Sequence, residues 1–102
     1  MITNKNIDEV LKKQYFQEIK DFYKRNNSAE ERISYIRDLY GHSGWGIPDK
    51  GDFIDGMHCD SSGIEFIKTN SNWKQETMKM KWNKVAERLQ KIIENESQLS
   101  LF

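Results

Sequence analysis

One cysteine, one proline and two histidines are all that the 102 residues contain of those types. The lone Cys59 has no internal disulfide partner. That excludes a disulfide-stapled secreted module. No apolar run approaches the roughly 20 residues needed to span a bilayer, so no membrane partner is expected. Nothing apolar follows Met1–Lys5 and no signal peptide is visible, which places the expected working compartment inside a cell. Net charge is missing too: 16 basic residues balance 16 acidic ones. Whole-chain electrostatics therefore make no case for non-specific nucleic-acid binding. There is no phosphate-binding glycine motif, no HExxH and no GxSxG. The expectation is a protein that is not an enzyme.

Aromatic residues are not scarce. Three Trp, four Tyr and five Phe accompany a charged content of 31%. Disordered chains are poor in aromatics, so this composition reads as one folded domain over residues 1–102 with a small aromatic core. Ile7, Val10, Leu11, Tyr15, Ile19 and Phe22 recur at three- and four-residue spacing. They predict one helix, capped by Asn6 or Asp8 and ending at Arg25–Asn27. Ser28–Glu31 is a capping box that opens a second helix with Ile33, Ile36, Leu39 and Tyr40 inside, stopped by a left-handed Gly41. Ile64–Lys68 and Trp73–Met80 alternate as strands around an Asn70–Asn72 turn, which predicts a hairpin. Trp82, Val85, Leu89, Ile92 and Ile93 mark a last helix that frays around Asn95–Ser97, before an apolar tail at 98–102. The expected class is α+β: two N-terminal helices, a long Gly-rich loop, an antiparallel β-hairpin and a C-terminal helix.

Residues 41–63 differ in kind. They hold all six glycines, the proline, both histidines and the cysteine, with aspartates at 49, 52, 55 and 60. Phe53, Ile54 and Met57 suit a short strand or turn. A structureless loop longer than about 15 residues is usually functional or disordered. Here something must hold it, and a structural zinc is one candidate. His42, His58, Cys59 and Asp60 all carry zinc-binding side chains, with Asp52 or Asp55 able to replace Asp60. Against this, His58-Cys59-Asp60 is contiguous, and an extended chain points Cys59 away from its neighbours. The alternative makes both histidines surface residues and Cys59 a small buried hydrophobe. A Cys59 nucleophile served by His42 or His58 is the weaker chemical reading, because adjacent side chains rarely face each other.

A second feature lies nearer the C-terminus. Lys79 and Lys81 share a strand face, and Lys84, Arg88 and Lys91 share a side of the last helix. This could be a phosphate-contacting stripe, or an ordinary solvated face with Glu87 and Glu94 interspersed.

Three stretches carry a resemblance. Tyr35–Gly44 is similar to a "FLKxEYGxGG" stretch, Asp60–Ile64 to an "HDxKGI" step with His58 and Asp60 as its H-x-D, and Lys81–Leu89 to an "SWxKVAxRI" helix. All three belong to a small domain of large helicase and adenine-methylase proteins of conjugative elements and phages, and they are in order over about residues 34–93. Lys81 replaces the capping Ser and Ser62 replaces a Lys, so the role of that lysine is not carried over. The resemblance implies a mobile-element or phage protein acting in the cytoplasm of a bacterial host. A stand-alone protein of this kind resembles anti-CRISPR inhibitors of type II RNA-guided DNA nucleases. On that reading Trp45, Asp49, Asp52, Phe53 and Asp55 would dock the nuclease, the acidic groups occupying a basic surface that otherwise receives nucleic acid. The competing reading is a nucleic-acid-binding accessory domain that uses Lys79, Lys81, Lys84, Arg88 and Lys91.

Overall fold

The computed structural model describes residues 2–41 and 54–99, with side chains through residue 96. It is α+β, in the order α1 Asn4–Lys13, α2 Phe16–Tyr23, α3 Ala29–Tyr40, β1 Gly56–Cys59, β2 Gly63–Thr69, β3 Gln75–Lys81 and α4 Trp82–Leu99. His42, Trp45, Asp49, Asp52 and Phe53 lie outside the described residues.

The first predicted helix is two helices. Thr3, not Asn6 or Asp8, caps α1, and Asn6 completes a capping box with it. The chain then breaks at Gln14, which is extended, and at Tyr15, which takes φ 61. Tertiary packing outweighs helical continuity here. The buried Tyr40 hydroxyl lies 3.3 Å from the Leu11 carbonyl and 3.1 Å from that of Gln14. It so serves the carbonyls that a helix end leaves unpaired. Tyr15 packs edge-on against the Tyr40 ring at 5.5 Å. The break lets Ile7, Val10 and Leu11 on one side and Ile19 and Tyr23 on the other all reach the core.

The Ser28–Glu31 capping box is present as expected. Gly41 differs from expectation: it ends α3 at φ −64, in the right-handed region, with its N–H on the Arg37 carbonyl. A Cβ there would stand 2.6 Å from that carbonyl oxygen, so close approach, not handedness, favours glycine.

The sheet has three antiparallel strands in the order β1-β2-β3. The extra strand is Gly56–Cys59, drawn from the glycine-rich segment. Met57 is buried and Cys59 packs against the core, while His58 between them is exposed. Ile64 and Phe66 of β2 lie opposite Met80 and Met78 of β3, forming the inner face. The outer face carries His58, Glu65 and Lys79 in one cross-strand row. Trp73 is not in a strand; β3 begins at Gln75. β3 runs into α4 without a loop, and α4 continues to Leu99 instead of fraying at Asn95–Ser97. Trp82, Val85, Ala86, Leu89 and Ile92 give α4 its buried face. No helix among the described residues is long and apolar enough to cross a membrane.

Candidate functional site

Two places on this scaffold draw attention: the β1–β2 corner, where His58, Cys59 and Asp60 lie, and the β2–β3 turn.

At the corner, Asp60 is fully used. Its Oδ1 accepts from the Ser62 N–H at 2.8 Å, the Ser62 hydroxyl at 2.7 Å and the Gly63 N–H at 3.0 Å. Its Oδ2 accepts from Lys79 Nζ at 2.5 Å. The Lys79 ammonium first, and the Ser62 and Gly63 donors after it, hold the Asp60 carboxyl well below the usual carboxylate range. The Asp60 main-chain carbonyl accepts from the indole N–H of Trp82 at 3.0 Å. The strands meet so closely that a Cβ on Gly63 would stand 2.0 Å from the Met80 carbonyl oxygen.

His58 and Cys59 point to opposite faces of β1, as alternation requires. Burial, and then the Asp60 carboxylate, push the Cys59 thiol up. That is the reverse of what activates a nucleophile. His58, Cys59 and Asp60 therefore do not converge. Among the described residues no group of three or more His, Cys, Asp or Glu could hold a metal ion. The described donors thus do not fit a zinc centre, and His42 lies outside them. Asp55, a candidate for partner or metal on sequence, is engaged by the fold. Its Oδ2 accepts from the Thr69 N–H at 2.5 Å, pinning the end of β2. Its Oδ1 is buried with no hydrogen-bond partner among the described residues.

The basic stripe is largely committed to the fold. Lys79 is held by Asp60, and Lys84 lies 3.4 Å from Glu87. Arg88 forms a two-pronged pair with Asp8 of α1, at 2.6 and 2.9 Å. Lys81 and Lys91 are exposed. Between α3 and α4 lies a cleft of about 350 Å³ with Ala29, Ile33 and Ala86 in its lining. Its one guanidinium, Arg32, is already engaged by Asn27, Gln90 and the Tyr23 carbonyl.

The β2–β3 turn stands out differently. Asn70 Oδ1 accepts from the Asn72 and Lys74 N–H groups, the Asn70 N–H donates to the Lys74 carbonyl, and the Trp73 N–H donates to the Asn70 carbonyl. This net holds Trp73 at φ 63. In such a three-residue loop the left-handed position belongs by preference to glycine. A bulky L-residue there costs about 1–2 kcal/mol. Trp73 is nonetheless 87% exposed, the one large hydrophobic side chain so exposed among the described residues. Sequence reasoning missed it by placing Trp73 at the start of a strand. The signal was Asn70-Ser71-Asn72, a turn run that leaves the next residue to close the loop.

No family model matches the chain, and neither does any curated protein or solved structure.

Proposed function

We propose that this chain is a non-catalytic binding protein that docks a protein partner through Trp73 and the adjoining outer face of the sheet. The observation that carries this is the pairing of strain with exposure at Trp73: φ 63 and 87% exposure. An exposed Trp contributes little to stability, and a left-handed one detracts from it. Backbone strain of this kind gathers at functional sites. Trp is enriched among the residues that dominate protein interfaces. The surroundings are of mixed sign, with His58, Glu65 and Lys79 in one row, which suits a protein surface better than a polyphosphate.

The partner class comes from the resemblance. An inhibitor encoded by a phage or mobile element, acting on a type II RNA-guided DNA nuclease in the host cytoplasm, is the reading carried forward. The nucleic-acid reading is weakened because Lys79, Lys84 and Arg88 have acidic partners within the chain.

The test is inhibition of target-DNA cleavage by a panel of type II nucleases, with co-purification of the complex. Wild-type protein should capture and inhibit at least one, and Trp73→Ala should lose capture while melting like wild type. Equal capture by wild type and Trp73→Ala sinks the role of Trp73. Tight, salt-steep binding of bare DNA or RNA would favour the accessory-domain reading instead.

A further inference from the structure

Among the described residues β3 is an edge of the sheet. The Asn70–Lys74 and Ser62–Trp82 hydrogen bonds fix which residues of β3 turn their main chain toward β2. With the observed register these are Glu76, Met78 and Met80. The N–H and C=O groups of Gln75, Thr77, Lys79 and Lys81 therefore point away from the sheet. An extended row of such groups is a template for another strand.

The side chains along this edge have a pattern of their own. Those of Thr77, Lys79 and Lys81 are exposed on the outer face. Met78 and Met80 are half-buried on the inner face, packed against the core margin. The outer face of β3 holds Gln75, Thr77, Lys79 and Lys81, two lysines and no acidic residue. An incoming strand would therefore meet positive charge on one face and thioether on the other.

We infer that β3 is the docking edge for an extended segment of a protein partner in which acidic and apolar residues alternate. Its main chain bonds the outward groups of Gln75, Thr77, Lys79 and Lys81. Its acidic side chains face Lys81 on the outer side, and its apolar ones cover Met78 and Met80. This rests on the reading of the β2–β3 region as a docking surface, and names the chemistry of what docks there.

The probe is a ten-residue peptide of alternating Glu and Val, titrated into the full chain and followed by amide chemical shifts. Expected are saturable shifts at Gln75, Thr77, Lys79 and Lys81, with a Lys/Val peptide binding about tenfold or more weakly, a difference of about 1.4 kcal/mol. Thr77→Pro removes only an outward N–H, so it should spare the β2 ladder and weaken the peptide at least about tenfold. Should that variant melt early, the same loss is expected with wild-type protein and a peptide N-methylated on alternate residues. Lys81→Glu should abolish the preference between the two peptides. No shifts at millimolar peptide, equal binding of both peptides, or a wild-type dimer that Thr77→Pro dissolves would each overturn the inference. If the nuclease is captured by Thr77→Pro but not by Trp73→Ala, the edge fails and the docking surface stands. If Thr77→Pro loses peptide and nuclease while Trp73→Ala keeps both, the edge stands and the role of Trp73 fails.

Discussion

The indole N–H of Trp82 donates to the main-chain carbonyl of Asp60 at 3.0 Å, which ties the first residue of α4 to the β1–β2 corner. Trp82 N–H also reaches the Ser62 carbonyl at 3.4 Å. The Asp60–Ile64 and Lys81–Leu89 stretches, separate in sequence, are thus one corner in space. Asp60, Gly63 and Trp82 build the fold at this corner.

Substitutions at this corner should act on stability. Trp82→Phe removes one part-buried hydrogen bond and part of a large side chain, an expected loss of about 1–3 kcal/mol. Gly63→Ala should be worse, because the new Cβ meets Met80 main chain at 2.0 Å and no flexible side chain can yield. A loss of about 3 kcal/mol or more is expected from such overpacking. Urea unfolding of both variants checks this; a Gly63→Ala protein as stable as wild type would disprove the close approach.

The same corner sets an acid limit. The folded Asp60 carboxyl is held below its unfolded value by Lys79, Ser62 and Gly63. A depressed carboxylate contributes stability that is complete above its unfolded pKa of about 3.9 and is lost as pH falls toward the folded value. Asp60→Asn should therefore lower the urea midpoint at pH 7, and the gap from wild type should close as pH drops below about 4. A gap that is constant from pH 7 to pH 2 would show that the Asp60 charge is not involved.

How much of this was legible beforehand depends on the range of the interaction. The Ser28 capping box and the α4 stripe are local, within a turn or two of helix, and were read correctly. The break at Gln14–Tyr15 was not, because its cause is Tyr40, 25 residues beyond Tyr15. Apolar spacing through Leu11, Tyr15 and Ile19 fits one straight helix as well as two packed ones. The strand at Gly56–Cys59 was half visible in Met57, but only its pairing with Ile64–Ile67 makes it a strand. The basic stripe was read from helical spacing, which is blind to Asp8 across the fold. Trp73 was misread for a different cause: alternation counts a residue as strand unless the turn chemistry before it is followed to its end.

Arg88 and Asp8 supply a test of that last-helix stripe. The pair is two-pronged and roughly two-thirds buried, with side-chain exposures of 27% and 31%. Arg88→Ala and Asp8→Ala should each cost about 1–2 kcal/mol, and the double variant little more than either. Additive losses would mean that the two do not interact. Binding to DNA at low salt, if any is detected, should not change with Arg88→Ala, since its guanidinium is already occupied.

Alkaline stability follows from Tyr40. Burial, foremost, and then Tyr15, Tyr23 and Cys59 push its phenol well above the usual value near 10. The unfolded phenol ionises first, so the folded state holds more protons above about pH 10 and stability falls as pH rises. Tyr23 acts in the same direction, raised mainly by burial. Tyr40→Phe should lose about 1 kcal/mol at pH 7 with the Leu11 and Gln14 contacts, yet show a shallower decline from pH 9 to 11.5. Parallel melting-temperature curves for the two proteins would contradict the burial of an ionisable phenol.

Trp73 predicts a trade between stability and binding. Glycine relieves the left-handed strain of about 1–2 kcal/mol and returns about 0.5–1 kcal/mol to the flexible unfolded chain. With 87% of the side chain already in solvent, almost no burial is lost. Trp73→Gly should therefore be more stable than wild type by about 0.5–1 kcal/mol, and Trp73→Asn should fall between them. Both should fail to capture the partner if the proposed docking through the indole holds. The measurements are a urea midpoint and a capture assay on the same preparations. A Trp73→Gly protein that is less stable than wild type would make the indole a structural element and remove the reason for assigning it to binding.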